Sequence, residues 1–246
     1  MAYYARRKRK KKRFIKKLLL LCVTILVLFT AYKGREYFLH YNAANEAPGD
    51  TEHWDGRPAI PVDGGIPGFS KEEISTECFV RLSGLDSLGR CGPALACIGP
   101  ESLAEGERGE IGSVRPSGWQ LEKYSFIDNG GFLYNRCHLL AWKLTGLNEE
   151  ERNLITGTRY LNTEGMLPYE NEVMNFVYRT GKHVMYRVTP VFREDELVAR
   201  GVKIEAMSAE DGGRGLSFNV YCFNVQPGVD IDYRTGLSRM SVPKEE

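Results

Sequence analysis

One short segment of the chain concentrates reactive side chains in an otherwise apolar stretch. Residues 133–142 read LYNRCHLLAW and place Arg136, Cys137 and His138 in succession. His138 could act as a general base, because the reference pKa of histidine, about 6.5, lies close to neutral pH. A lone histidine beside two leucines is more often a buried structural residue. The segment by itself therefore leaves both roles open.

The thiol of Cys137 raises the alternative of a cysteine nucleophile activated by the histidine. Neighbouring residues of a strand point to opposite faces, so Cys137 and His138 cannot easily face each other. We therefore expect Cys137 to be a buried structural thiol. A Cys-dependent hydrolase is disfavoured.

Polar residues farther along the chain strengthen the catalytic interpretation of His138. Asn153 and Asn162 frame the segment NLITGTRYLN, and Glu170 follows in PYENEV. Singly, such an asparagine is usually a helix cap, and a glutamate at a helix start usually complements the helix dipole. The ordered set is more specific: an arginine two residues before the histidine, then asparagine 24 and glutamate 32 residues after it.

These motifs resemble those of the DNA/RNA non-specific endonucleases of the ββα-metal superfamily. The main similar segments are YNRCHLLAW, RNLITGTRYLN and GMLPYENEV, and the shorter ones are LGRCGPALACIG, IGSVRPSGW, HVMYRVTPVF, FNVYCFNVQPG and IDYRTG. Within the family the chain resembles the membrane-anchored DNA-entry nucleases of Gram-positive bacteria and the secreted streptococcal DNases. The resemblance covers about residues 66–238.

The resemblance implies metal-dependent hydrolysis of phosphodiester bonds in DNA, with RNA left open as a substrate. It implies His138 as the general base and Asn162 as the only protein ligand of a Mg²⁺ ion, for which Mn²⁺ could substitute. Mg²⁺ prefers oxygen ligands and keeps several waters, which suits a single amide ligand. Glu170 would orient water beside the metal, and Asn153 would position the site or the histidine. Arg136 is the predicted phosphate clamp.

The chain departs from the usual family pattern at three positions. Asn135 and Cys137 stand in place of the aspartate and glycine of Asp-Arg-Gly-His, and Met174 stands where relatives often carry an arginine. A catalytically weak nucleic-acid-binding surface protein on the same fold therefore remains an alternative, as does an HNH-type site-specific nuclease. Phosphate contacts must come from other cations, for which we predict Arg136, Arg159, Arg179 and Arg115.

Hydrophobic periodicity predicts the elements that position these residues. Strands with a Gly-Gly turn are expected in 124–134, and HLLAWKL is expected to form a helix that Gly146 closes. A second helix should run from about Pro168 to Gly181, with three strands after it at 183–192, 202–208 and 216–225. Strands, a central helical region and further strands indicate an α+β fold with a central antiparallel sheet flanked by helices.

The N-terminus has the pattern of a membrane signal. Residues 1–17 contain ten Lys or Arg and no acidic residue, and residues 18–32 carry no charge. We expect an uncleaved signal anchor with a cytoplasmic basic tail, followed by an exported domain, and a cleaved signal peptide with a secreted domain is the alternative. Residues 33–65 are predicted to be a linker, 66–238 the nuclease domain and 239–246 a polar tail.

Charge and cysteine usage narrow the class of protein further. Residues 18–246 hold 23 basic and 32 acidic residues, a net charge of about −9, so no basic stripe for phosphate is visible in the sequence. Five cysteines follow residue 32, and an odd number excludes a complete intramolecular disulfide set. One or two bridges remain open, with Cys91 or Cys97 as the favoured members. The five residues between those two cysteines disfavour a zinc site formed by that pair.

Overall fold

The computed structural model describes residues 16–17, 23–24 and 54–242, in two units. The first unit contributes only the helical residues Lys16, Lys17, Val23 and Thr24. No helix within the described residues is both long and apolar enough to span a bilayer. The predicted anchor lies outside the described residues apart from Val23 and Thr24, as do most of the linker and the end of the polar tail.

The described part of the second unit, residues 54–242, contains ten strands and two α-helices besides shorter helical turns. The first half of its chain contains β1 (Ala59–Pro61), β2 (Phe79–Leu82), β3 (Ala94–Ile98), β4 (Tyr134–His138), α1 (Trp142–Thr145) and β5 (Leu154–Thr158). The second half contains α2 (Leu167–Thr180), β6 (Val184–Val191), β7 (Gly201–Ser208), β8 (Ser217–Phe223), β9 (Val229–Ile231) and β10 (Ser238–Met240).

A six-stranded sheet in the order β1-β8-β7-β6-β3-β2 forms the centre of this unit, and all its neighbouring strands are antiparallel. The three strands predicted from their β-branched and aromatic residues are β6, β7 and β8. The predicted α+β class is confirmed. One boundary needs correction: β1 pairs with β8 although it falls within the predicted linker, so the fold begins before Ile66. Its short AIP segment gave no periodic signal.

The hairpin of β4 and β5 and the helix α2 pack over the large sheet. Val173, Phe176 and Val177 of α2 share one buried cluster with Ile155 of the hairpin and Tyr186 of the sheet. Gly181 ends the helix in the left-handed region, with φ of 65°. The helix predicted from Pro168 to Gly181 is therefore confirmed, with its apolar face on the core.

Two local predictions were less accurate. The segment 124–134 forms turns and an isolated bridge between Lys123 and Phe132 where two strands were expected. Asn129, Gly130 and Gly131 have positive φ and form a 3-10 turn in the middle of this segment. The helix predicted for HLLAWKL is the single turn α1, which Gly146 does close.

Candidate active site

The hairpin of β4 and β5 places His138 at the end where the connecting segment 139–153 begins. His138 pairs with Leu154 in the antiparallel register, and its side chain is only 7% exposed. Cys137 points the other way into the hydrophobic core, as the alternation of a strand requires. Burial raises the pKa of the Cys137 thiol, so this cysteine has no nucleophilic character at neutral pH.

The helical segment after β5 carries the other predicted residues. Thr158 caps its start, because its hydroxyl oxygen accepts a hydrogen bond from Leu161 N at 2.9 Å. Residues Leu161–Met166 form a π-helical turn, a widened turn that is frequent at functional sites, and Asn162 lies in it. Glu170 and Met174 follow at a spacing of four residues in α2 and therefore share one helix face.

His138 and this helix face enclose a cavity of about 260 Å³. Its polar lining consists of Arg108, His138, Lys143, Asn162, Glu170 and Asn171. Met174 contributes apolar wall at the position where the family pattern often has an arginine. The cavity thus brings together a histidine, a carboxylate and a side-chain amide, and its cations are Arg108 and Lys143.

Hydrogen bonds fix the tautomer of His138. Arg108 Nη2 lies 3.1 Å from His138 Nδ1, and the carbonyl oxygen of Asn148 lies 2.8 Å from Nε2. A guanidinium can only donate, so Nδ1 accepts from Arg108 and Nε2 carries the proton that is donated to Asn148. His138 is therefore a neutral imidazole whose one lone pair is directed at Arg108.

The electrostatics of the cavity keep His138 neutral and make Glu170 easy to protonate. Burial first, and then the charge of Arg108, lower the pKa of His138 to about 4, against the opposite effect of the hydrogen bond to Asn148. Burial raises the pKa of Glu170 to about 7, against the attraction of Arg108. A cation placed beside Glu170 would favour its ionised form.

Asn162 offers an oxygen to this cavity from a fixed position. Its Oδ1 accepts a hydrogen bond from the thiol of Cys137 at 3.1 Å. That contact orients the amide oxygen, which still has a second lone pair. Amide and carboxylate oxygens are ligands that Mg²⁺ accepts, so Asn162 and Glu170 fit a hard cation that retains water.

Asn153 holds the chain behind His138 and does not line the cavity. It is fully buried, and its amide both accepts from Leu140 N and donates to Leu140 O, each at 2.9 Å. These two bonds fix the segment that leaves β4. Asn153 is therefore a positioning residue in this structure, and its side chain is not placed to contact a substrate.

An adjoining groove of about 370 Å³ contains the predicted phosphate-binding residues Arg136 and Arg159. The groove shares Arg108 and Asn162 with the His138 cavity, so the two depressions are continuous. The guanidinium of Arg136 stacks over Trp119, with 4.2 Å to the ring centroid, and donates to the carbonyl oxygens of Val114 and Gly112.

The arginines predicted to bind phosphate differ in their position and in the charges around them. Burial and then the charge of Arg115 lower the pKa of Arg136, but Arg115 is not among the residues that line the groove. Arg159 forms an ion pair with Asp128 at 2.9 Å. Arg179 lies in a separate shallow depression on α2 that shares only Asn171 with the cavity. The structure therefore does not bring Arg179 into the groove.

Arg108 is the site residue that sequence reasoning missed. It belongs to the segment GERGEIGSVRPSG, which has no hydrophobic period and no secondary structure except turns. Its position between the cavity and the groove results from the path of this loop. The sequence contains no local signal that would have identified it.

Comparison with known proteins places these features in a family. A family profile described as DNA/RNA non-specific endonuclease matches residues 75–210. The structure is similar to that of NucA from Streptococcus agalactiae with magnesium ion bound, with 24% identity and a TM-score of 0.65 over 74% of this chain and 86% of that one. It is also similar to NucA with no metal bound, with 25% identity and a TM-score of 0.61 over 72% and 84% of the two chains.

A third similar structure is that of Sda1 nuclease with bound zinc ion. It shares 23% identity and has a TM-score of 0.62 over 75% of this chain and 97% of that chain. These likenesses confirm the ββα-metal fold expected from the motifs. The profile match begins before β2 and ends after β7, so it includes the hairpin and the helix that form the cavity.

Proposed function

Because this chain belongs to the DNA/RNA non-specific endonuclease family, and is therefore a hydrolase of nucleic acid, we propose that His138 is its general base and that Asn162 and Glu170 hold a Mg²⁺ ion. The observation that carries this proposal is the fixed tautomer of His138. Its Nδ1 carries the lone pair, because the Asn148 carbonyl binds the proton on Nε2, and this lone pair accepts from Arg108 in the cavity that Asn162 and Glu170 also line.

His138 takes a proton from the attacking water at Nδ1 in this mechanism. Nε2 keeps its own proton and its hydrogen bond to Asn148, so the imidazolium that forms is stabilised by the carbonyl dipole. A base is most effective when its pKa lies near the working pH, and a pKa of about 4 is low for this task. Removal of Arg108 from Nδ1 would raise the pKa of His138 and free its lone pair at the same time.

The substrate itself can supply that change. Arg108 has no ion-pair partner within residues 54–242, and it lies where the cavity meets the groove. A phosphate is a stronger partner for a guanidinium than a neutral imidazole nitrogen, because both charges contribute to the bond. We propose that the scissile phosphate draws Arg108 away from His138. The base then becomes available only when substrate is present.

The proposed metal site rests on the chemistry of its oxygen donors. Asn162 Oδ1 is oriented by Cys137, and the ionised carboxylate of Glu170 would face the same space. A bound Mg²⁺ supplies charge compensation for the phosphate oxygens and for the departing 3′ oxygen. Arg136, stacked on Trp119, would bind a flanking phosphate in the groove.

A nicking assay tests the proposed function directly. Supercoiled plasmid, single-stranded DNA and RNA are each incubated with the full-length chain, with Mg²⁺ or with EDTA. The proposal expects cleavage of unrelated sequences that requires the metal and is lost in His138→Ala. Binding of nucleic acid without cleavage would favour the alternative of a catalytically weak surface protein, and cleavage that survives EDTA would contradict the metal site.

We propose further that the domain is exported and tethered by the N-terminal segment. The support is the charge pattern: ten cations in residues 1–17 precede fifteen uncharged residues. Protease treatment of intact protoplasts should remove the domain and spare a tag on the basic tail. Protection of both the domain and the tag would contradict this orientation.

A further inference from the structure

A second group of metal-ligating side chains lies at the ends of three neighbouring strands of the large sheet. The ligand atoms of Cys78, Glu101 and His183 all lie within 4.8 Å of one another. Cys78 directly precedes β2, Glu101 follows β3 in a short 3-10 turn, and His183 directly precedes β6. Because β3 is hydrogen-bonded to both β2 and β6, the antiparallel order brings these three chain ends together.

We propose that Cys78, Glu101 and His183 form a structural site for a divalent cation of the zinc class, with Glu210 as the residue that orients the histidine. None of these residues lines the His138 cavity or its groove. This proposal is independent of the proposed catalytic metal and of the base.

The hydrogen bonds of His183 provide the first argument. Its Nδ1 lies 2.8 Å from Glu210 Oε1, and its Nε2 lies 3.1 Å from Glu101 Oε1. A neutral imidazole carries one proton, so one of these contacts would place a nitrogen lone pair against a carboxylate oxygen. The arrangement needs a second positive centre: either an added proton or a metal ion between Nε2 and Glu101.

Glu210 has the position that outer carboxylates occupy around metal-bound histidines. Besides the contact at Nδ1, its two oxygens accept from the backbone N of His183 at 2.9 and 3.1 Å. These bonds fix both the carboxylate and the ring that it contacts. Such a partner sets the tautomer of a ligating histidine, so that Nε2 presents its lone pair to the metal.

The neighbouring glycine leaves room for the donors to converge. A Cβ at Gly99 would lie 2.4 Å from His183 Cδ2 and 2.9 Å from Cys78 Sγ. No side chain fits at those distances, so only glycine allows the ring and the thiol to approach this turn. The close approach is thus built into the backbone between Ile98 and the turn that carries Glu101.

The donor types select the metal. Thiolate and imidazole together are typical ligands of Zn²⁺, which also accepts carboxylate, whereas Mg²⁺ prefers oxygen alone. Burial, together with Glu101, raises the pKa of Cys78 to about 11, so metal binding must displace the thiol proton. Cys91 and Cys97, whose spacing disfavours a zinc site, are not ligands of this one.

A disulfide between Cys78 and the adjacent Cys97 is the alternative to a metal site. The thiol of Cys97 lies beside Cys78 and donates to the carbonyl of Ser75 at 3.1 Å. In an oxidising exterior these two cysteines could form a disulfide, which would remove the sulfur ligand. All five cysteines of residues 54–242 are free thiols in the structure.

Cobalt substitution tests the site. The full-length chain, stripped of metal and reduced, is titrated with Co²⁺. The proposal expects a thiolate-to-cobalt charge-transfer band in the near ultraviolet, which Zn²⁺ abolishes by displacement. The band should be lost in Cys78→Ser and in His183→Gln. Glu210→Gln should weaken binding by about 10-fold to 100-fold, the usual effect of losing an outer partner.

Two control variants separate this site from the other thiols and from the catalytic metal. Cys91→Ser alters another buried cysteine and should keep the band. Asn162→Ala should also keep it, so failure of the catalytic proposal would not affect this readout. Zn²⁺ should raise the Tm of the wild type but not that of Cys78→Ser.

Three outcomes would overturn the proposal. The first is wild-type protein that gives no thiolate band with Co²⁺. The second is a band that survives in Cys78→Ser. The third is a Cys78–Cys97 disulfide, detected by mass spectrometry of tryptic peptides from protein purified without reductant.

Discussion

His138 and His183 both lie at the end of a strand, but their surroundings have opposite charge. His138 is buried and has a guanidinium at Nδ1, and burial lowers its pKa to about 4. His183 lies between Glu101 and Glu210. Burial alone would lower the pKa of His183, but the hydrogen bonds to Glu210 and Glu101 outweigh it and raise the pKa.

This difference shows how one residue type acquires two chemical roles in one domain. At neutral pH His138 is a neutral ring that lines a cavity and has its Nδ1 lone pair on Arg108, and a neutral imidazole suits proton transfer. His183 is surrounded by negative charge, which either a proton or a metal ion on the ring would compensate. This environment suits a metal site that links strand ends. The sign of the neighbouring charge separates the two roles, because both rings have lost part of their water.

The largest expected effect comes from removing the ring of His138. His138→Ala should lower turnover by about 10²–10⁴, the usual contribution of a general base, and should leave the fold intact. Plasmid cleavage and circular dichroism of the same samples measure both. Added imidazole should partly rescue His138→Gly. Turnover within a few-fold of wild type would show that the neutral ring in the cavity is not the base.

The next effect concerns the oxygen ligand beside His138. Asn162→Ala should raise the Mg²⁺ concentration for half-maximal cleavage by about 100-fold, since loss of even an outer partner costs 10-fold to 100-fold. Asn162→Asp keeps an oxygen at the same position and should retain metal binding. An unchanged Mg²⁺ requirement in Asn162→Ala would contradict the ligand assignment.

Replacement of Arg108 tests whether its guanidinium, which contacts His138, contributes to catalysis. Arg108→Ala should lower kcat/KM by about 10-fold to 100-fold, because a charge-assisted hydrogen bond to phosphate is worth roughly 1.5–3 kcal/mol. The acid limb of the pH profile should move to higher pH, since loss of the cation raises the pKa of His138. Arg239→Ala, an exposed arginine paired with Asp230, is the matched control. Faster cleavage by Arg108→Ala would mean that Arg108 only blocks the base.

The smallest expected effect is a difference in pKa between the imidazoles of His138 and His183. NMR titration of the metal-free protein measures it. His138 should titrate at about pH 4 and His183 above its reference value of 6.5. The stability that His138 contributes is present above pH 6.5 and is lost as the pH falls towards 4. The stability that His183 contributes is present below pH 6.5 and is lost as the pH rises through the raised pKa of this ring. Equal titration midpoints for His138 and His183 would contradict the proposed difference between their electrostatic surroundings.

Local patterns in the sequence determined the elements that carry the cavity. β6, β7 and β8 have runs of β-branched and aromatic residues, and α2 has Val173, Phe176 and Val177 on one face with Gly181 at its end. Alternation along β4 also determined that Cys137 and His138 point apart. These features depend on neighbours in the chain, so periodicity and turn chemistry can reveal them.

Only the tertiary structure decided which distant residues meet. Arg108 reaches His138 from an irregular loop thirty residues upstream, and Asn153 proved to bind the backbone of Leu140. Glu101 and Cys78 gather at His183 because β3 lies between β2 and β6, and Glu210 joins them because the end of β7 pairs with the start of β6. The physical reason is that a contact between distant residues depends on how the strands are ordered and on how loops close. No periodic pattern of side chains encodes that information.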